Sequence, residues 1–190
     1  MARVALLVDE DFEDDDVRVV RERLLAGGHE AVIVATERGR HLSGRRGRET
    51  ATAIFGSGDV SERDFDALFV PGGLSPDRLR THLPSVRFAR GFFTADKPIA
   101  AIGHGVALLV ELEAVDDRTV TSWPSIKTDL INAGARWVDR PVVEDGALVT
   151  ARRPEDLTAF CDVLLRKLDA STARSAARAS EGAASHPPYH

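Results

Sequence analysis

Short apolar runs alternate with amphipathic segments along most of this chain, and this alternation restricts the possible folds more than any other feature. Apolar runs that end in polar or glycine-rich turns are typical of strands buried on both faces of a parallel sheet. The chain has four of them: ARVALLV (2–8), AVIVAT (31–36), ALFVPGG (67–73) and PIAAIG (98–103). The intervening segments show helical spacing, as in Val17, Val20 and Leu24. The pattern predicts a doubly wound α/β protein with a mostly parallel sheet.

Length and charge narrow the class of protein further. The 190 residues, 43% of them hydrophobic, suit one domain, which we place at residues 1–169. The remaining 170–190 are rich in Ala and Ser and poor in large apolar side chains, so we predict a flexible tail there. A formal net charge of -5 gives no overall attraction for DNA or RNA, and we expect no nucleic-acid partner.

The amino terminus and the single cysteine exclude further classes. The first apolar run is only five residues long before it meets acids, too short for a signal peptide or a membrane span, so we expect a cytoplasmic protein. A lone cysteine permits no internal disulfide and no multi-cysteine zinc site. Cys161 shares a helical apolar stripe with Leu157, Leu164 and Leu168, which predicts a packed, unreactive side chain.

Candidate site residues follow three of the predicted strands, because open α/β sheets bind ligands at the carboxyl ends of their strands. The acidic segment 9–16 follows the first strand. It fits neither a calcium loop, which needs a glycine sixth and a glutamate twelfth, nor a receiver domain, which needs an aspartate where Val70 stands. We expect most of these acids to be solvated at a helix N-terminus. Phe12 should bury itself and draw Glu13 inward, which makes Glu13 a general-base candidate with a raised pKa.

The segment Gly103-His104-Gly105 turns from a strand into a helix. The third glycine of a dinucleotide fingerprint is missing, since Leu108 stands there, and we predict no cofactor. The remaining interpretations are a plain tight turn with a surface His104 and a nucleophile elbow, whose apex residue adopts strained backbone angles. Gly103 would relieve that strain and leave the apex without a nucleophile. Gly72 and Gly73 could bring further amides to the same crevice.

The basic segment 37–50, ERGRHLSGRRGRET, interrupts the strand and helix pattern. It could be an anion-binding loop, but a solvated hairpin is the more common role of such a segment, and we favour the hairpin.

Several longer motifs, in order, resemble the ThiJ/PfpI superfamily, in particular its PfpI-type intracellular protease branch. They are FED (12–14), ERG (37–39), FDALFVPGG (65–73), KPIAAIGHG (97–105), SWPSIKTDLINAGARWVD (122–139) and RRPEDL (152–157). The resemblance implies a flavodoxin-like three-layer sandwich, similar to class I glutamine amidotransferases, that forms homodimers or larger assemblies.

The resemblance also implies a site made of an elbow cysteine, the histidine after it, a glutamate and a further acid. These positions correspond to Gly103, His104, Glu13 and Asp77. In PfpI-type assemblies the last of them reaches a neighbouring subunit, so the resemblance implies that Asp77 orients His104 across an interface. The chain departs from the family at the elbow, where glycine replaces the cysteine.

Two more departures lie nearby: Val106 replaces a proline, and Trp123 replaces a tyrosine. The substrate-binding positions that we expect around the elbow are Gly72, Gly73, Gly103, Gly105 and Trp123. No metal ligand is expected.

Three functions are compatible with the sequence. In the first, Glu13 and His104 carry out non-covalent acid–base chemistry, such as hydration, enolisation or cyclisation, on a small carbonyl compound. In the second, the protein is a pseudoenzyme that binds a ligand or a partner without turnover. In the third, Gly103 is an engineered replacement in a cysteine hydrolase or glyoxalase. Thiolate chemistry at the elbow is excluded in all three, because no thiol stands there.

Overall fold

The computed structural model describes the backbone of residues 1–184 and the side chains of residues 1–173. This part of the chain contains eleven strands and six α-helices. The strands are β1 (Arg3–Leu7), β2 (Glu30–Ala35), β3 (His41–Ser43), β4 (Thr50–Thr52), β5 (Phe55–Gly56), β6 (Ala67–Val70), β7 (Ile99–Ile102), β8 (Thr119–Val120), β9 (Arg136–Trp137), β10 (Val142–Asp145) and β11 (Leu148–Ala151). The helices are α1 (Asp14–Ala26), α2 (Ser75–Thr81), α3 (Leu83–Thr94), α4 (Leu108–Glu111), α5 (Lys127–Asn132) and α6 (Leu157–Ala184).

A central sheet of seven strands organises the fold. Its order is β10-β11-β7-β6-β1-β2-β5. All neighbouring pairs are parallel except β10 with β11, so the antiparallel strand lies at one edge. The predicted mostly parallel α/β sheet is confirmed.

Side chains that alternate along each strand feed two separate cores. Along β1, Ala5 and Leu7 pack with residues of α2, α3, α4 and α5, whereas Val4 and Leu6 pack with residues of α1 and α6. Helices therefore cover both faces of the sheet, which makes the three-layer sandwich. Both sets of side chains are fully buried, and for this reason the strand reads as a continuous apolar run.

The carboxy-terminal helix extends further than the sequence predicts. Residues 170–184, expected to be part of a flexible tail, continue α6 as helix. Residues 185–190 lie outside the described part of the chain. The flexibility of segment 170–190 stays a prediction, whereas the boundary of regular structure moves from residue 169 to Ala184.

The sequence pattern does not indicate strands β5, β9 and β10, because they are too short to show periodicity. Strands β8 and β9 form a parallel pair outside the main sheet, and β10 adds the antiparallel edge. The helix expected after Gly105 is mostly a 3₁₀ turn over Gly103–Ala107, followed by the four residues of α4.

Cys161 lies in the core between α6 and the sheet, as its helical spacing predicts. Burial raises the pKa of its thiol to about 11, so the thiolate is scarce at neutral pH. Among residues 1–184 no helix combines the length and the apolar character needed to cross a bilayer.

Candidate active site

Three strand ends meet at one edge of the sheet because β7, β6 and β1 are neighbours in it. The segments that follow them surround a cavity of about 770 Å³. Predicted site residues among its lining are Glu13, Gly72, Gly73, Gly103, His104 and Trp123. The topology therefore brings together most of the residues that the sequence singled out.

Gly103 forms a sharp corner between β7 and the 3₁₀ turn. Its φ of +60° lies in the left-handed region, which favours glycine. A Cβ atom at this position would lie 3.6 Å from the carbonyl oxygen of Arg152 and 3.9 Å from the Cα of Gly72, at ordinary contact distances. The corner thus has the geometry of an elbow apex, with room for a side chain that the protein does not have.

Gly105 has a packing role rather than the expected binding role. It does not line the cavity. A Cβ atom there would lie 2.7 Å from the carbonyl oxygen of Pro71 and would overlap the carbonyl oxygen of Val70. Glycine is required because the 3₁₀ turn passes directly against the end of β6.

Glu13 lies inside the cavity, as the burial of Phe12 predicts. Phe12 is fully buried and bridges Gly44 and Gly73, which fixes the backbone on both sides of it. The amide of Glu13 donates a hydrogen bond of 3.1 Å to the carbonyl oxygen of Gly72. The residue is only 6% exposed, and the Oε1 atom of its side chain accepts no hydrogen bond from the described residues.

The prediction that water solvates most of the acidic segment is wrong. Asp9, Asp14 and Asp16 are buried together with Glu13. Asp9 is buried because Arg40 and Thr36 donate hydrogen bonds to its carboxylate. The helix macrodipole explains why acids occur at the start of α1, but burial of Asp9 depends on partners that come from elsewhere in the fold.

Asp16 is a site residue that sequence reasoning missed. Its Oδ2 atom accepts a hydrogen bond of 2.9 Å from the amide of Gly72, and its Oδ1 atom has no partner among the described residues. Burial raises the pKa of this carboxyl to about 7, and the nearby charge of Glu13 adds to the effect, whereas the Gly72 amide opposes it. A signal was present, since Asp16 is four and eight residues before Val20 and Leu24, on the buried face of α1.

The same hydrogen bond changes the role expected of Gly72. Its amide was a candidate for holding a substrate oxygen, but the amide proton is engaged by Asp16. Gly72 still lines the cavity, and a Cβ atom there would lie 3.1 Å from Asp16 Oδ2.

His104 projects from the corner into the cavity and is half-buried. Its Nε2 atom lies 3.0 Å from Ser125 Oγ, and its ring lies 6.3 Å from the ring of Trp123. Burial lowers the pKa of the imidazole; the charge of Asp77 raises it, and that of Arg45 lowers it further.

Asp77 lies outside the cavity, on the first turn of α2, where it is exposed. Within the chain, Ser125 rather than Asp77 is the hydrogen-bond partner of His104. Asp77 acts on His104 only through its charge.

The basic segment forms a hairpin, as predicted, since β3 and β4 pair antiparallel. Its turn also reaches the cavity, which the sequence did not indicate. Arg45 Nη1 lies 3.5 Å from Glu13 Oε2, and Arg46 Nη2 lies 3.5 Å from Glu13 Oε1. Two guanidinium groups therefore face one carboxylate at the mouth of the cavity.

Comparisons with known proteins agree with this architecture. The model of the DJ-1/PfpI family matches residues 2–167. The chain is 39% identical over 159 residues to General stress protein 18 of Bacillus subtilis, which covers 83% of this chain and 92% of that protein. It is 37% identical over 169 residues to Protein/nucleic acid deglycase 2 of Escherichia coli, which covers 88% of this chain and 98% of that protein.

A solved structure gives the same result for the fold. A two-domain protein from Anabaena variabilis, with DJ-1/ThiJ/PfpI-like and ferritin-like domains, superposes with a TM-score of 0.86 at 32% identity. The match covers 88% of this chain and 50% of that one, so the present chain spans half the length of the two-domain protein.

Proposed function

Because the chain belongs to the DJ-1/PfpI family, we propose that it binds a small carbonyl compound in the cavity and performs acid–base chemistry on it without a covalent intermediate. The name of the Escherichia coli relative, a deglycase, supports a substrate of the carbonyl class.

One observation carries this proposal. Two carboxyl oxygens, Glu13 Oε1 and Asp16 Oδ1, are buried beside the same cavity without a hydrogen-bond partner among the described residues. Buried polar atoms are nearly always paired, because leaving one unpaired costs about 1–3 kcal/mol. A ligand that supplies partners to both oxygens resolves this cost.

The two carboxyls suit opposite roles in proton transfer. Glu13 acts as the base. Asp16 titrates near neutral pH, where a carboxyl is an efficient proton donor. Since Asp16 Oδ2 accepts the Gly72 amide, Oδ1 is the atom that carries the proton and can deliver it.

Hydration of a carbonyl shows how these groups can work together. Glu13 accepts a proton from water as the water oxygen bonds to the carbonyl carbon. The π electron pair of the carbonyl moves to its oxygen, which takes a proton from Asp16. The proton on Glu13 then passes through water to Asp16, so the net reaction is the addition of one water molecule.

Backbone and aromatic groups orient the substrate in this proposal. We assign the amides of Gly73 and His104 to the developing oxyanion, because the Gly72 amide is already engaged. The imidazole of His104, with its lowered pKa, is the neutral hydrogen-bonding group beside them. Trp123 flanks the opening.

The test is turnover of methylglyoxal and glyoxal, followed by NMR so that any product is identified. Glu13→Gln is expected to abolish turnover, since the amide cannot accept the proton. Asp16→Asn is expected to slow it about 10²-fold or more. Glu22→Gln, a charge-matched change on the exposed side of α1, serves as the control and retains turnover. Turnover that survives Glu13→Gln contradicts the assignment.

A second candidate function rests on the bare corner at Gly103. A site that has lost its nucleophile can retain its ligand, and the protein would then bind a carbonyl compound as a signal. This function predicts a rise in melting temperature with the ligand and no product under the same conditions.

Assembly belongs to the proposal as well. We expect a homo-oligomer in which Asp77, exposed on α2, orients His104 of a neighbouring subunit. Size-exclusion chromatography with light scattering tests the assembly. A monomer at micromolar concentration contradicts it.

A further inference from the structure

The proposed acid–base chemistry assigns no role to Arg45 and Arg46, the two arginines at the mouth of the cavity. We propose that Arg45 and Arg46 form an anion subsite beside Glu13, and that the substrate is a carbonyl compound carrying a carboxylate or phosphate group. The carbonyl part of this inference rests on the proposed function, whereas the anionic group is inferred from the two arginines alone.

The charge balance at the mouth supports this subsite. Within the described residues, Glu13 is the one acid that lies within 4.0 Å of either guanidinium. One carboxylate between two cations leaves an excess positive charge, and two guanidinium groups have more N–H donors than one carboxylate can accept. Both contacts are 3.5 Å long and neither meets hydrogen-bond geometry, so the donors are not committed to Glu13.

Other arginines of the cavity differ in this respect. Arg18 is paired with Asp15 and Glu22, Arg152 with Asp139 and Asp156, and Arg153 with Glu155. Within the described residues, none of these three shares its acid with another arginine that lines the cavity, whereas Arg45 and Arg46 share Glu13. The excess of positive charge is therefore concentrated on the hairpin turn.

The turn that carries the subsite is held rigidly against α1. The carboxylate of Asp14 accepts hydrogen bonds from three amides of the turn, those of Arg46 at 2.9 Å, Arg48 at 2.7 Å and Glu49 at 2.9 Å. Burial opposes ionisation of Asp14, but these amides hold the pKa of its carboxyl below the ordinary value. The amide of Arg45 donates to the carbonyl oxygen of Phe12 at 2.9 Å.

This anchoring prepares the subsite before a ligand arrives. Asp14 and Phe12 both adjoin Glu13 in the chain, so the turn and the base are fixed to the same short piece of backbone. Little backbone order is lost on binding, and an anion can meet two guanidinium groups at once, which is the geometry that favours carboxylate and phosphate.

The distances also define the ligand. Each arginine lies 3.5 Å from a carboxylate oxygen of Glu13, so a group held by both must be only a few bonds from the carbonyl carbon that the water on Glu13 attacks. A 2-oxo acid such as glyoxylate meets this condition, as does a short phosphorylated aldehyde. Both offer several oxygens to a pair of guanidinium groups.

Equilibrium binding tests the subsite without any need for turnover. Isothermal titration calorimetry of the full chain is done with glyoxylate and, separately, with inorganic phosphate; whichever binds more tightly identifies the anion. Replacing either arginine, Arg45→Gln or Arg46→Gln, is expected to weaken binding about tenfold to hundredfold. Arg63→Gln, on an exposed residue far from the cavity, is the control and leaves the affinity unchanged.

Glu13→Gln separates this inference from the proposed function. The variant should lose turnover, yet bind glyoxylate roughly threefold to tenfold more tightly, because the carboxylate that competes for the arginines is gone. The subsite is wrong if neither anion binds the unaltered chain. It is also wrong if the double variant Arg45→Gln/Arg46→Gln binds as well as the unaltered chain does.

Discussion

The carboxylate of Asp16 accepts a hydrogen bond of 2.9 Å from the backbone amide of Gly72 while it is buried beside the cavity. The contact joins the first turn of α1 to the end of β6. It also places a carboxyl that gains or loses its proton near neutral pH against Gly72, whose Cα lies 3.9 Å from the position of a Cβ at Gly103.

Asp16→Asn is expected to change how stability depends on pH. The pKa of Asp16 rises from 3.8 to about 7 on folding, so the folded state binds the proton more tightly than the unfolded state does. This group therefore makes stability fall as pH rises from about 4 to about 7. At pH 8 the asparagine variant should be more stable than the unaltered chain by up to about 4 kcal/mol, at 1.36 kcal/mol per pKa unit.

Urea denaturation of both proteins at pH 4.5 and pH 8 checks this prediction. The difference in unfolding free energy should be small at the lower pH, because Asp16 is then largely protonated in the folded state. Groups that do not interact with Asp16 titrate equally in both proteins and cancel, so the difference reports Asp16 together with its coupling to Glu13. An equal difference at the two pH values contradicts a raised pKa.

Gly103→Cys is expected to produce a reactive thiol at the corner. The neighbouring atoms leave room for a Cβ, and His104 is adjacent. The variant should react with iodoacetamide at pH 7, whereas the unaltered chain should not, because its only thiol, Cys161, is buried and has a pKa of about 11. Mass spectrometry of the labelled protein measures the difference.

The same variant tests whether the site still has the architecture of a thiol enzyme. If Gly103 replaces an original cysteine, Gly103→Cys should gain an iodoacetamide-sensitive hydrolase or glyoxalase activity. Gly103→Ala carries the same backbone cost without a thiol, and it should gain nothing. Activity in both variants would point to a contaminant.

Alanine substitutions at Gly103 and Gly105 should lower the free energy of unfolding by very different amounts. Gly103→Ala should cost about 1–2 kcal/mol, because the only penalty is that of a Cβ on a residue with left-handed backbone angles. Gly105→Ala drives a Cβ into the carbonyl oxygens of Val70 and Pro71, both of which are backbone atoms of the core, so we expect about 3 kcal/mol or more. Thermal unfolding of both variants gives the order, and a smaller loss at Gly105 than at Gly103 would contradict the packing at the end of β6.

The pKa of His104 should respond to two charges in opposite directions. Asp77→Asn removes a charge that stabilises the imidazolium, so the already lowered pKa should fall further. Arg45→Gln removes a repelling charge, so the pKa should rise. NMR titration of the imidazole protons measures both, with His104→Gln to assign the resonance. If Asp77→Asn leaves the pKa unchanged, Asp77 is not coupled to His104.

Local patterns were sufficient to predict the mostly parallel α/β sheet and the end of it at which the candidate site lies. The apolar runs of β1, β6 and β7 are complete within four to seven residues. Because ligands bind at the carboxyl ends of parallel strands, these runs predict that Glu13 and the Gly103 corner lie close together. Glu13 was identified through Phe12, whose burial fixes the direction of its neighbour.

The missed residues depend on contacts that are distant in the chain. Arg45 and Arg46 reach Glu13 only because the carboxylate of Asp14 collects three amides of the hairpin turn, and no periodicity indicates such an arrangement. Asp16 did carry a local signal, its position on the buried face of α1. A charged side chain is usually solvated, so exposure was the simpler expectation for Asp16. The hydrogen bond from the amide of Gly72 compensates part of the cost of its burial, and the sequence does not indicate this bond.

The absence of a thiol at Gly103 also determines how the cavity responds to oxidants. The chain has two sulfur atoms, in Met1 at its amino terminus and in Cys161 within the core. Peroxide therefore finds no sulfur among the residues that line the cavity to convert to a sulfenic or sulfinic acid. The acid–base chemistry proposed for this cavity would therefore continue under oxidising conditions that inactivate a thiol enzyme of the same fold.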